Sequence, residues 1–431
     1  MIDLLIEGKA YVNGTLETVA IGLENGKIVS VSKPSNAPKA DKRITVKDRE
    51  IILPGMIDMH VHLRDLNQSY KEDWFTGTFA ALKGGVTLIA DMPNNDPYIN
   101  SLEKLKMKLE VARKKSLVDF LLYSGVPKNL EEIPEIRKIA CGFKVYPQDY
   151  ERLSDFLKML NNDLVVIHSE DPKIIERNYN LFKRRLDAKL HSRIRPKIAE
   201  IKAITKIIKT VKNKQLKLHF THITTKESIR EIVKAKLSGV NVTCDATLHH
   251  SLLTSDIVNK LGGIAKTNPP LRGRSDAKSV FNAIRFGLVD AIASDHAPHR
   301  LEEKLQDDYD SIPPGYPGLE ICLPIILTEI LEKRLNLNVI DLYSKEPARI
   351  LGIRRGSINP GFNGDIVIVE LGKERKIRGS DFVSKAKYTP FEGRTVKATV
   401  KKVFIRGSLA LDDGELIVNG GFGINAHESY C

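Results

Sequence analysis

A chain of 431 residues with 42% apolar and 28% charged residues has the composition of a globular protein that can bury one large core and carry an accessory part. No run of about eighteen apolar residues occurs, so a helical membrane span is excluded. The net charge of +13 lies largely on two helix-like segments, 104–115 and 197–214, spaced as solvated faces and without interleaved aromatics, so nucleic-acid binding is not expected.

Residues 1–8 lack the basic region and apolar core of a secretion signal. The four cysteines (Cys141, Cys244, Cys322, Cys431) form no CxxC pair, which reads as a reducing, cytoplasmic location without a disulfide framework.

In chain order, residues 1–50 predict short strands at 4–6, 18–23 and 27–32, with turns at Asn13-Gly14 and Asn25-Gly26. The far end has the same texture, with strand-like runs at 365–369, 395–405 and 416–418. Two β-rich ends around a different middle predict one small β-sandwich domain built from 1–50 and 352–431.

The middle, 51–351, alternates strand and helix. Strands are predicted at 51–59, 86–92, 118–124, 140–146, 164–168, 216–222, 239–244 and 289–295. Helices are predicted at 72–83, 101–115, 152–161, 197–213, 225–237 and 275–286. Eight strand–helix units over some 300 residues predict a (β/α)8 TIM-like barrel of the α/β class. A doubly wound open sheet is the alternative, but no glycine-rich phosphate loop follows any strand.

Catalytic groups of such barrels sit at the carboxyl ends of strands. The first predicted strand runs into Asp58-Met59-His60-Val61-His62-Leu63-Arg64, whose alternation puts Asp58, His60 and His62 on one side. Asp91-Met92-Pro93-Asn94-Asn95 ends the second, Lys144 lies in the fourth, His168 and His222 end the fifth and sixth, and Asp295 ends the eighth. Any one of these is unremarkable, but six on one rim argue for a metal site, because imidazole nitrogens and carboxylate oxygens suit zinc. Lys144, between Phe143 and Val145, is expected to be desolvated and neutral. A neutral amine can take up CO2 and become a carbamate, in effect a bridging carboxylate.

These motifs resemble the cyclic amidohydrolases and, among them, the dihydroorotases. The resemblance runs over nearly the whole chain. It includes Lys71-Glu72-Asp73, Gly84-Gly85-Val86-Thr87, Gly142-Phe143-Lys144-Val145-Tyr146, Thr267-Asn268-Pro269-Pro270-Leu271-Arg272, Ser294-Asp295-His296-Ala297-Pro298-His299 and Pro314-Gly315-Tyr316-Pro317-Gly318-Leu319-Glu320. It departs from the usual pattern at Asp65–Tyr70, after Arg64, and at Asn95-Asp96.

The resemblance implies two Zn2+ per chain, bridged by a carbamylated Lys144 and a hydroxide. His60 and His62 would hold the first metal together with Asp295, which also shuttles the proton; His168 and His222 would hold the second. Arg64, Asn94 and His299 would take the substrate carboxylate, Asn268 the pyrimidine ring, and the backbone near Pro317 and Gly318 would add a contact. The implied reaction is the reversible closure of N-carbamoyl-L-aspartate to L-dihydroorotate in pyrimidine synthesis. In the hydrolytic direction the bridging hydroxide attacks the ring amide.

Residues 300–316, acidic and bearing Pro and Gly, read as a mobile loop over the site. His249 and His250 read equally well as lid contacts or as packing. An allantoinase or hydantoinase, or a non-catalytic scaffold, are the rival readings. A homodimer and an association with aspartate transcarbamoylase stay open on this reading.

Overall fold

The computed structural model describes residues 1–211 and 215–429; Cys431 and the end of the predicted helix 197–213 lie outside them. Eight parallel strands follow one another around a sheet: β1 Met56–Val61, β2 Val86–Asp91, β3 Asp119–Gly125, β4 Gly142–Val145, β5 Leu164–Ile167, β6 Lys217–Phe220, β7 Val242–Ala246 and β8 Ala291–Ile292. Each pairs with the next, and a Val61–His296 bridge joins the first to the last, with His62 N donating to His296 O at 2.8 Å. This is the expected (β/α)8 topology. Every residue of β1 to β5 is buried, as parallel strands covered on both faces require.

Helices Trp74–Lys83, Leu102–Lys115, Leu153–Lys158, Lys197–Val211, Lys226–Leu237 and Arg274–Arg285 cover the outside. Their starts are written locally. Asp73 and Thr76 form a capping box, and the Ser101 and Thr225 hydroxyls cap the helices that follow them.

The two chain ends meet in one nine-stranded, mostly antiparallel sheet. Its core joins Ile6 and Ile21 from the first end to Ile366 and Phe404 from the second. The predicted sandwich is therefore one continuous hydrogen-bonded sheet.

The predicted strand 51–59 is two strands. Glu50–Pro54 pairs with the returning chain, Ile52 opposite Ile368, while Met56–Val61 opens the barrel. Gly55 makes the break: a Cβ there would collide with the Thr87 side chain. An uninterrupted apolar run cannot announce that its halves serve different sheets. No helix among the described residues is long and apolar enough to cross a membrane.

Candidate metal centre and substrate cavity

The carboxyl ends of the barrel strands open into a cavity of about 560 Å³. His60, His62, Arg64, Asn94, His168, His222, Asn268 and Asp295 all stand on its wall. Lys144 lies beneath, fully buried, with Nζ donating to Thr221 Oγ1 at 3.1 Å.

The four histidines form a contiguous chain. Ring centroids are 5.1 Å apart for His62 and His60, 5.3 Å for His60 and His222, and 4.6 Å for His222 and His168. His60, His62 and Asp295 each offer one ligand atom, and these atoms all lie within 4.8 Å of one another.

Chemistry tests whether a cation fits there. His62 Nδ1 lies 2.5 Å from Asn94 Oδ1, and an amide oxygen only accepts, so Nδ1 carries the proton. His62 Nε2 then presents a lone pair to Asp295 Oδ1 at 3.1 Å, and His60 Nε2 stands 3.3 Å from the same oxygen. These nitrogens and the carboxylate oxygen converge as the donor set of a cation does. Among the described residues, the buried Nδ1 atoms of His60 and His222 have no hydrogen-bond partner. Burial first, and then charge from Lys144 and neighbouring histidines, holds His60 and His222 well below the usual imidazole range, so they are neutral and able to ligate. The residues fit a metal.

Burial pushes the Lys144 ammonium down to about 7, against the pull of Asp245 and Asp295. It likewise pushes the Asp295 carboxyl up to about 7, against the pull of Lys144. Burial thus brings the two opposite charges toward neutrality, each opposed by the other. Below them Asp58, fully buried, accepts from His60 N, Ser294 N and Tyr343 Oη, tying the first and last ligand-bearing segments together.

Backbone strain collects at the same places. Arg64, His222 and Asp295 have φ of +58°, +40° and +48°, in the left-handed region that side-chain-bearing residues rarely adopt.

Two positioning groups are given no role in the sequence reading. Glu170, fully buried, accepts from His168 Nε2 at 2.7 Å and pairs with Arg195, which lines the cavity. Its signal was available: Glu170 follows His168 by two, the spacing that joins His60 to His62. A carboxylate behind a ligand histidine fixes its tautomer and ring plane. Glu170→Ala is therefore expected to weaken metal retention by about 10- to 100-fold, measured by chelator competition. The second group is Thr221, whose Oγ1 lies 3.1 Å from both Lys144 Nζ and His222 Nε2.

Other expectations are placed differently. Pro317 and Gly318 line a separate small cavity with His249 and Tyr316; Pro314 and Gly315 supply the main cavity's wall instead. The chain turns between the two pairs, because Gly315 presses against Ala297 while Gly318 begins the helix Leu319–Leu331. His299 is not on the main cavity's wall but behind it, 3.0 Å from Arg64 Nη2 and 3.1 Å from Lys71 Nζ. His250 is spent on packing, bonded to Thr247 Oγ1 and Pro269 O.

Of residues 300–316, read as a mobile loop, Pro314 and Gly315 stand on the cavity wall, and the segment is pinned. Buried Lys304 donates to the carbonyls of Lys266, Pro313 and Gly315 at 2.7–3.0 Å. Asp310 accepts from Tyr179 Oη, and Tyr309 Oη lies 2.6 Å from His191 Nδ1.

Comparison with known proteins agrees with this geometry. The dihydroorotase of Methanothermobacter thermautotrophicus is 33% identical over 430 residues, covering 98% of this chain and 97% of its own. That of Pyrococcus abyssi is 34% identical over 420 residues, covering 96% of each. Among solved structures, the L-hydantoinase (dihydropyrimidinase) of Arthrobacter aurescens superposes with a TM-score of 0.92 at 25% identity over 98% of this chain and 99% of its own. The dihydropyrimidinase of Brevibacillus agri gives 0.90 at 24% identity, over 98% and 97%, a likeness of fold. The amidohydrolase family model matches residues 51–294 and 332–410, a span that takes in the whole barrel sheet and every strand end on which the histidines and Asp295 stand, apart from Asp295 itself, one residue past the first match. By sequence, by fold and by the place of its histidines, this chain belongs to the amidohydrolase family.

Proposed function

We propose that this chain is a dihydroorotase, interconverting L-dihydroorotate and N-carbamoyl-L-aspartate. The observation that carries the substrate is Arg64. It is buried on the cavity wall beside the candidate ligands, and among the described residues two of its five donors are taken, by Pro298 O and His299. A guanidinium held there suits a ring carboxylate.

His60, His62 and Asp295 would hold one zinc ion, and His168 and His222 a second, with a carbamate on Lys144 shared between them. Zinc held there would supply Lewis acidity and hydroxide at neutral pH. The chain's own groups do the rest. Arg64 and Asn94 take the carboxylate, Asn268 meets the ring, and His299 braces Arg64 from behind. Asp295 accepts a proton at its carboxylate and delivers it to the leaving ring nitrogen. Glu170 and Asn94 hold the rings of His168 and His62 in place. Ring closure consumes a protonated carboxyl group, so lower pH favours the biosynthetic direction.

Allantoin and dihydrouracil lack the carboxylate, which would leave Arg64 without an anion. The deciding assay is hydrolysis of L-dihydroorotate by zinc-loaded protein, with those two compounds in parallel and bound metal counted. Turnover of dihydroorotate alone, with two metals per chain, is expected. Turnover of a rival would reassign Arg64, and metal without turnover would favour a scaffold. Arg64→Ala is expected to raise KM for dihydroorotate by about 10- to 100-fold, with a smaller change in kcat. An unchanged KM would remove Arg64 from the substrate site.

A further inference from the structure

Helix Leu102–Lys115 turns Leu105, Lys108, Leu109 and Ala112 inward, the i, i+3, i+4, i+7 stripe of a core-facing helix. One member of that stripe is a lysine. The sequence reading put the lysines of 104–115 on a solvated face, yet Lys108 is 0% exposed.

A buried ammonium persists only where its donors are met. Lys108 donates two hydrogen bonds, to Met92 O and Asn95 Oδ1, and its charge is met by the ion pair with Asp91. Nζ lies 2.5 Å from Asp91 Oδ2, 2.7 Å from Met92 O and 3.0 Å from Asn95 Oδ1. These partners straddle Asn94. Two of them reach on to the segment carrying Arg64: Asp91 Oδ1 accepts from Leu63 N at 2.7 Å, and Asn95 Nδ2 donates to Arg64 O. That segment needs holding. Arg64, Asp65 and Leu66 are three consecutive side-chain-bearing residues in the left-handed region, with φ of +58°, +52° and +51°. No glycine relieves them.

We propose that Lys108 is the positioning residue of the carboxylate clamp: one buried ammonium fixes both Asn94 and the strained turn that aims Arg64. It touches no substrate and acts through Asp91 and Asn95. The inference rests on the proposed dihydroorotase reading for its kinetic consequence.

The test uses Lys108→Met, which keeps the stem and removes the charge, and Asn95→Ala, which cuts the relay while leaving the Lys108–Asp91 pair. Asn95→Ala carries the test should Lys108→Met fail to fold. Each variant is expected to raise KM for L-dihydroorotate by about tenfold or more, with kcat within about threefold and bound metal unchanged. Their effects should be less than additive in the double variant. Amide hydrogen exchange at Leu63, Asp65 and Leu66 should quicken in both.

Unchanged KM with unchanged exchange would overturn the proposal. So would a loss of kcat at constant KM, the mark of damage to the core rather than to the clamp. Wild-type protein that ignores dihydroorotate would defeat the substrate reading instead. In that case, quickened exchange would still support the positioning role, and unchanged exchange would end it.

Discussion

Turnover of L-dihydroorotate is expected to fall by about 10³-fold or more when His60 and His62 are replaced together by alanine. The two imidazoles supply two of the three donor atoms that converge within 4.8 Å, so of these three only Asp295 would remain to hold the first metal. The change also removes the hydrogen bond by which Asn94 orients His62. Burial alone pushes the Asp295 carboxyl up to about 7, so without a cation beside it much of it stays protonated near neutral pH and is lost as a proton acceptor. The measurement is kcat/KM together with metal content by elemental analysis, on protein whose circular dichroism matches wild type. Loss of one metal equivalent with loss of turnover supports the assignment. Activity retained in the double variant would mean that the metal, or the chemistry, lies elsewhere.

The sequence makes some levels of this molecule readable and hides others, for physical reasons. Strands covered on both faces become uniform apolar runs, so Val86–Asp91 and Leu164–Ile167 could be placed to within a residue or two. Ends of strands are where polar residues interrupt such runs, so His60, His62, His168, His222 and Asp295 stood out and converge on one cavity. Partnership across the fold leaves no such mark. Lys108 reads as one more lysine in a basic helix because its three partners lie at the end of β2 and in the loop after it, before it in sequence and meeting it only in space. The pairing of Glu170 with Arg195 behind His168 is of this kind too. The break at Gly55 is of the same kind, since what separates the two strands is where each finds its partner.

Replacing Lys144 by alanine is expected to cost a comparable factor, about 10²–10³-fold in kcat, and to release metal. Lys144 is fully buried with one hydroxyl, Thr221 Oγ1, in hydrogen-bonding reach, and the Tyr146 ring lies 5.4 Å away. Burial brings its pKa down to about 7, so near neutral pH a large share of it is free amine. The amine nitrogen can attack CO2, forming an N–C bond and releasing one proton, and the product carries a carboxylate where the ammonium stood. That exchange of sign is what two cations among His60, His62, His168 and His222 require, because an ammonium there would repel them. Two further results should accompany the loss. Wild-type protein stripped of metal and reloaded without CO2 should recover little activity until bicarbonate is added. In Lys144→Ala, a small carboxylate such as acetate should restore part of the activity by filling the vacated space. A carbamate carbon seen by 13C NMR after labelling with 13C-bicarbonate would identify the group directly. Full recovery without CO2, and no labelled carbon, would show that Lys144 serves as a plain amine and that the metals are bridged by some other group.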